Sequence, residues 1–262
     1  MSRRGLILKE LGLSPVWVRR QQPNVGVKVA ADESGATEAV AVPGQQAAAA
    51  TDMPGIADAD SAGDRVAQIQ AMDWAQLRSS TSLCTACVLH QARKQAVLGV
   101  GDVKAQWLFV GEAPGAEEDE RGEPFVGQAG KLLDNMLAAI GLKRGENVYI
   151  ANVVKCRPPE NRTPGPAEGQ ACEPYLLRQI ELIGPHIIVA LGKVAAQSLL
   201  GKEVTLASLR GRVHRFRGIP LIVTYHPAYL LRTLNDKSKA WEDLCLAIEA
   251  MKALKPEQAT PS

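Results

Sequence analysis

The chain has 262 residues with 30 basic and 28 acidic side chains, so its formal net charge of +2 favours no class of partner. It is long enough for one domain of up to about 200 residues and an extension. No apolar run approaches the roughly 18 residues of a membrane span, and the amino terminus lacks the layout of a signal peptide. We therefore expect a cytoplasmic protein with no membrane partner.

The first 62 residues differ in composition from the rest of the chain. Residues 1–21 carry five basic side chains and one acid, together with the apolar residues Leu6, Leu8, Leu11, Leu13, Val16 and Trp17. They are either a partly ordered tail or an amphipathic docking peptide for a protein partner or an anionic surface, and Glu10 argues against a transit peptide. Residues 22–62 contain no aromatic residue and six acids, which predicts a disordered linker.

From residue 63 onward, helical and strand-like apolar patterns alternate. Strands are predicted near 107–111, 147–155 and 186–192, and helices to about Leu77 and near 128–142, 166–183, 193–200 and 236–254. Residues 212–216 and 220–225 indicate a hairpin or edge pair. The alternation predicts an α/β domain over 63–255, with a parallel sheet covered on both faces, and a tail at 256–262.

Glycines, prolines and carboxylates crowd the loop that follows the first of these strands. This stretch, Gly111–Leu133, has six acidic side chains, at 112, 117, 118, 119, 120 and 123. Open α/β sheets bind ligands at the carboxyl ends of their strands, so we expect a binding site here.

Four cysteines outside this loop have the spacing of a metal site. Cys84 and Cys87 form a pair separated by two residues, and Cys156 and Cys172 follow a predicted strand and begin a predicted helix. In a reducing compartment such clusters more often bind metal than form disulfides. Four thiolates suit both zinc and a [4Fe–4S] cluster, so the residues alone leave the metal open. Cys245 lies on an apolar helix stripe and is predicted to belong to the core.

Several motifs together carry a family resemblance. They are Gly111-Glu-Ala-Pro-Gly115, Pro124-Phe-Val-Gly127 with Ala129-Gly130, Asn152-Val-Val-Lys-Cys156-Arg-Pro-Pro159, His226-Pro-Ala-Tyr-Leu230 and the four cysteines. In this order, over about residues 65–250, the chain resembles the family 4 uracil-DNA glycosylases, the iron–sulfur members of their superfamily. The resemblance implies a three-layer α/β/α fold around a central, mainly parallel four-stranded sheet. It also implies that a [4Fe–4S] cluster is bound by Cys84, Cys87, Cys156 and Cys172.

The resemblance also implies roles for the motif residues. Glu112 would activate water, Glu118 would assist in the same loop, and Phe125 would stack on a flipped base. The base pocket would further include Ala113 and Pro114. Asn152 offers the donor and acceptor that match O4 and N3–H of uracil, and His226 would donate to uracil O2 as negative charge collects there.

Basic residues flank the motif loops and suggest a track for the DNA backbone. The predicted DNA contacts are Arg157, Arg162 and Arg232, and Arg210, Arg212, Arg215 and Arg217 extend the basic surface. We expect a monomer that excises uracil from DNA in base excision repair. Two alternatives remain, a non-catalytic nucleic-acid or polymerase-associated module and a relative that links covalently to uracil DNA. The second lacks support, because Val223-Thr-Tyr-His226 has no basic insertion.

Overall fold

The computed structural model of the chain describes residues 59–254. The amino-terminal element at 1–21, most of the linker predicted over 22–62, and the tail at 256–262 lie outside the described residues. The first helix begins at Ala59, before the predicted end of the linker at residue 62. No helix within the described range is long and apolar enough to cross a bilayer.

A six-stranded sheet forms the centre of the fold, with the order β1-β3-β2-β4-β6-β5. The strands are β1 (Val100–Gly101), β2 (Trp107–Gly111), β3 (Val148–Asn152), β4 (Ile187–Leu191), β5 (Val213–Phe216) and β6 (Ile219–Thr224). The four inner strands are parallel, and the outer two pair antiparallel with β3 and β6. The predicted four-stranded parallel core is therefore confirmed, and two edge strands make the whole sheet mixed.

Nine α-helices are described between residues 59 and 254. They are α1 (Ala59–Ala71), α2 (Trp74–Leu83), α3 (Ala116–Arg121), α4 (Gln128–Ala139), α5 (Pro166–Ile183), α6 (Lys193–Leu200), α7 (Leu206–Leu209), α8 (Pro227–Arg232) and α9 (Lys237–Leu254). Short 3₁₀ turns occupy Val88–Gln91, Pro159–Asn161 and Leu234–Asp236.

Alternate side chains of the buried strands pack against different helices, which creates two apolar clusters. Leu108 and Val110 of β2 belong to the cluster that contains Ile69, Leu77 and residues of α5 and α6. Trp107 and Phe109 belong to the opposite cluster, with residues of α4 and α9. All five residues of β2, β3 and β4 are buried, as expected for parallel strands covered on both faces. The predicted three-layer α/β/α architecture is confirmed.

The single helix predicted to end near Leu77 is wrong, because two helices occupy this region. Asp73 caps the second helix: its carboxylate accepts from Gln76 N at 2.8 Å, and the Gln76 side chain accepts from Asp73 N at 3.0 Å. This reciprocal capping box starts a new helix where the apolar spacing alone had suggested continuity. Cys245 also differs from its prediction, because the structure leaves it only partly buried.

Candidate active site

A cavity of about 510 Å³ opens at the carboxyl ends of β2, β3 and β6. Its lining includes every predicted catalytic and base-contacting residue and two predicted arginines: Glu112, Ala113, Pro114, Glu118, Phe125, Asn152, Arg162, His226 and Arg232. The cavity lies where open α/β sheets bind ligands, since parallel strands direct their carboxyl ends to one edge. Residues separated by more than 100 positions in the chain thus share one site.

Asn152 ends β3 beside Gly111, the last residue of β2. Its side chain is only 2% exposed, and Oδ1 has no hydrogen-bond partner among the described residues. A Cβ at Gly111 would collide with this oxygen and come within 2.6 Å of Phe125 Cζ. Only glycine therefore leaves room for the amide and the aromatic ring at this position. A buried acceptor without a partner is costly, and this oxygen is free to accept a hydrogen bond from a molecule in the cavity.

Phe125 is held in a backbone conformation that a bulky residue seldom adopts, with φ of 56°. Arg144 secures it by donating to the main-chain oxygens of Pro124 at 3.0 Å and Phe125 at 2.8 Å. The Phe125 ring lies 5.4 Å from the His226 ring, at an interplanar angle of 31°. Strain of this kind persists only where the surroundings impose it, so the loop presents the ring in a fixed position.

Glu118 supports the same loop with both carboxylate oxygens. Oε1 accepts from Val126 N at 2.9 Å and Gly127 N at 3.2 Å, and Oε2 accepts from Gly115 N at 3.1 Å. These three hydrogen bonds fix the segment around Phe125. Glu118 lies in the cavity wall as predicted, and its catalytic role stays a prediction.

Burial affects the two titratable groups at the ends of β2 and β6 in opposite ways. It raises the pKa of the Glu112 carboxyl, against the effect of Thr163, and it lowers the pKa of His226 to about 4, with Arg232 adding to the decrease. His226 Nδ1 accepts from Ala228 N at 3.1 Å. The neutral ring therefore carries its proton on Nε2. At neutral pH the site contains a carboxylate and a neutral imidazole donor.

The predicted arginines have different surroundings. Arg232 is exposed at the cavity, whereas Arg162 also lines it but forms a bidentate pair with Glu168, at 2.6 and 2.8 Å. Arg157 does not line the cavity and reaches it only through Asn161, to which its Nε donates at 2.8 Å. Among the described residues, the predicted DNA contacts thus differ in how free their guanidinium groups are.

Arg210 does not belong to the proposed basic surface. Its side chain is 11% exposed, and Nε donates to Asp243 Oδ2 at 2.6 Å. The guanidinium also lies over the Tyr225 ring, 4.4 Å from its centroid. This arginine attaches α9 to the end of β6, so its guanidinium does not extend the basic surface.

Two polar lining residues were not among the predicted site residues. Asn161 lies in the Pro159–Asn161 turn with φ of 55°, and Tyr229 donates its hydroxyl proton to Asp236 at 2.6 Å. Tyr229 stands three residues after His226, within the last motif, so its position next to the site was available from the sequence. Nothing in the local pattern around Asn161 indicated its conformation.

Comparison with known proteins agrees with this geometry. The family model described as the Uracil DNA glycosylase superfamily matches residues 98–245. The Type-4 uracil-DNA glycosylase of Pyrobaculum aerophilum is 44% identical over 183 residues, 67% of this chain and 93% of the relative. This chain belongs to the type-4 group of the uracil-DNA glycosylase superfamily. The type-4 protein of Thermotoga maritima is 50% identical over 156 residues, which cover 59% of this chain and 81% of that protein.

A more distant similarity concerns the polymerase-associated alternative. The DNA polymerase of Bacillus phage SP01 is 32% identical over 144 residues, 55% of this chain but only 16% of the polymerase. The uracil-DNA glycosylase superfamily model, in contrast, covers both β2 and β6 and so includes all three strands that end at the cavity.

The four predicted cysteine ligands of this type-4 chain line one small cavity, on the α2 and α5 side of the sheet. Three of the sulfurs accept N–H groups: Cys156 from Arg93 at 2.8 Å, Cys172 from Lys155 N at 3.3 Å and Cys84 from Arg65 at 3.7 Å. Hydrogen bonds of this kind accompany thiolate-bound iron–sulfur clusters. The donor set therefore fits such a group, although no three His, Cys, Asp or Glu residues in the described range form a single-ion site.

Proposed function

We propose that the chain is a uracil-DNA glycosylase that hydrolyses the bond between uracil and deoxyribose and leaves an abasic site. The observation that carries this proposal is the buried Asn152 amide, whose unpartnered Oδ1 borders a cavity shared with Phe125, Glu112 and His226. Membership of the type-4 group supports the same assignment. DNA binding alone would need none of these four side chains at the strand ends.

Base selection follows from the chemistry of Asn152. Its Oδ1 would accept from N3–H of uracil and its Nδ2 would donate to O4, whereas cytosine presents the opposite pattern of donor and acceptor. Phe125 would stack against the flipped base, which needs an apolar surface after it leaves the duplex. The rigid loop around Phe125 would make this surface available without a rearrangement.

Hydrolysis would combine Glu112 and His226. The water oxygen bonds to C1′ and its proton passes to the Glu112 carboxylate, while the electron pair of the C1′–N1 bond leaves with uracil. His226 donates Nε2–H to uracil O2, where negative charge develops. The sugar acquires oxocarbenium character during this step, so the Glu112 carboxylate also stabilises it electrostatically.

The four cysteines are proposed to hold a [4Fe–4S] cluster. When bound, it would cross-link the start of the domain to the Cys156–Cys172 segment. The family resemblance supports this choice over zinc, and the three N–H···S contacts suit thiolate ligands. We also propose that the chain acts in the cytoplasm as a monomer, and that residues 1–21 recruit a protein partner. Metal analysis of anaerobically purified protein should find about four iron atoms per chain, and stoichiometric zinc without iron would refute the cluster.

The function is tested with a single-uracil oligonucleotide, as single strand and as duplex, and with a matched oligonucleotide that contains thymine. We expect free uracil and an alkali-labile abasic site from the uracil substrate alone. Tight binding without cleavage would instead support a non-catalytic binding module. A protein–DNA adduct that survives denaturation would support the covalent alternative.

A further inference from the structure

Lys155 is a buried cation three residues after Asn152 of the proposed base pocket. Its side chain is 1% exposed, in the segment between Asn152 at the end of β3 and the cysteine at 156. The ammonium donates to the main-chain oxygen of Asn152 at 2.7 Å and to Gln179 Oε1 at 2.5 Å. Neither acceptor carries a charge. Burying a cation is costly unless it is paired and hydrogen-bonded, so this arrangement needs an explanation beyond packing.

The cysteine cavity lies directly beside this lysine. Lys155 lines that cavity, its backbone N–H donates to Cys172 Sγ at 3.3 Å, and Cys156 follows it in sequence.

The other end of this contact is the catalytic edge of the sheet. The Lys155 ammonium donates to the main-chain oxygen of Asn152. The next two residues tie this segment to β2, because Val153 N and Val154 N donate to Gly111 O and Glu112 O at 2.9 and 3.2 Å. A change in the Asn152 peptide would therefore move the amide that faces the cavity. Gln179 fixes the lysine in turn, because its Nε2 donates to Leu98 O at 2.9 Å.

We propose that Lys155 is a positioning residue for base recognition, because its ammonium fixes the main chain of Asn152 and so the direction of the Asn152 amide. The inference rests on the proposed function, since it assumes that Asn152 reads uracil. It adds a residue that touches neither the base nor the reacting atoms.

The test separates base recognition from general DNA binding. Lys155→Met removes the ammonium at similar length. Gln179→Met keeps the ammonium and removes its second acceptor, together with the Gln179 hydrogen bonds to Leu98 O and the Tyr149 hydroxyl. Lys104→Met changes an exposed lysine as control. For each protein, Kd is measured for an oligonucleotide with one 2′-fluoro-2′-deoxyuridine, which resists cleavage, and for the thymidine equivalent. The Kd for the thymidine oligonucleotide divided by the Kd for the 2′-fluoro-2′-deoxyuridine oligonucleotide reports recognition of the base. Iron content and melting temperature are recorded in parallel.

Lys155→Met should reduce the ratio about tenfold, Gln179→Met about threefold in the same direction, and Lys104→Met less than twofold. A folded, iron-containing Lys155→Met protein with the wild-type ratio would overturn the inference. If Lys155→Met does not fold, Gln179→Met decides: a reduced ratio supports the inference and an unchanged ratio refutes it. Failure of the wild-type protein to release uracil would refute the proposed function itself, so the two failures are distinguishable.

Discussion

Glu112 and His226 show how burial can prepare two side chains for different tasks. Burial raises the pKa of the carboxyl and lowers that of the imidazole to about 4, because it disfavours the charged form of each group. As pH falls, Glu112 is therefore protonated at a higher pH than an ordinary glutamate. His226 stays neutral until about pH 4. The acidic decline in activity should belong to Glu112.

This assignment predicts a pH profile for each variant. The single-turnover rate of uracil release should fall from neutral pH toward pH 4.5 in wild type and in His226→Asn, whose overall rate should be about 10² lower. Glu112→Gln should be slow at every pH and show no acidic decline. Circular dichroism at each pH controls for unfolding, and an unchanged decline in Glu112→Gln would assign the titration to another group.

Asn152→Asp tests the reading of the base. A buried carboxyl has a raised pKa, and its protonated form can offer a donor to N3 of cytosine. We expect the uracil rate to fall about 10²-fold and cytosine release to rise above background in a single-turnover assay. Asn135→Asp, on the exposed face of α4, is the matched control. Wild-type rates and selectivity in Asn152→Asp would remove this residue from the pocket.

At the scale of elements, the start of α4 determines where Phe125 lies. A Cβ at Gly130 would collide with the main-chain oxygen of Phe125, whereas a Cβ at Gly169 in α5 meets nothing within 4 Å. Gly130→Ala should therefore displace the loop and lower both the melting temperature and the rate of uracil release, the rate by tenfold or more. Gly169→Ala should keep the rate and raise stability by about 0.5–1 kcal/mol. Equal behaviour of the two variants in thermal melts and single-turnover assays would contradict this view of the loop.

At this same scale, the sequence predicted most of the elements and less of their ends. Long apolar periods identified α4, α5 and α9, and buried β-branched runs identified β3 and β4. The two-residue strand β1 was missed because two positions cannot show an alternation. The break before Trp74 depends on one reciprocal cap at Asp73, which the apolar spacing does not report.

The sequence predicted which residues line the cavity, but it did not predict the contacts that hold those residues in place. Motif residues identified the strand ends, whereas the contacts of Arg144, Lys155 and Arg210 join segments far apart in the chain. A guanidinium that holds a loop and one that meets a phosphate look alike in a sequence. Their partners become visible only when the sheet has brought distant segments together.

For the whole molecule, residues 59–254 contain both apolar clusters, the cavity and the four cysteines. Removal of residues 1–58 should therefore leave uracil release, iron content and melting temperature within error of the full-length protein. Removal of residues 1–70 should lower melting temperature and iron content, because it also deletes buried Ile69 and Arg65, which donates to Cys84 Sγ. Loss of uracil release in the shorter deletion would place the amino-terminal extension in the active fold.

The order of the cysteines along the chain has a consequence for biosynthesis. The four predicted ligands, Cys84, Cys87, Cys156 and Cys172, precede β4, whereas His226 follows β6 and is translated after them. A ribosome that has translated the chain through residue 183 has already supplied all four of these thiols and the whole of α5. Loading of the proposed cluster can thus begin on a nascent chain that still lacks His226. Maturation of the cysteine cavity would then precede the appearance of activity, rather than follow it.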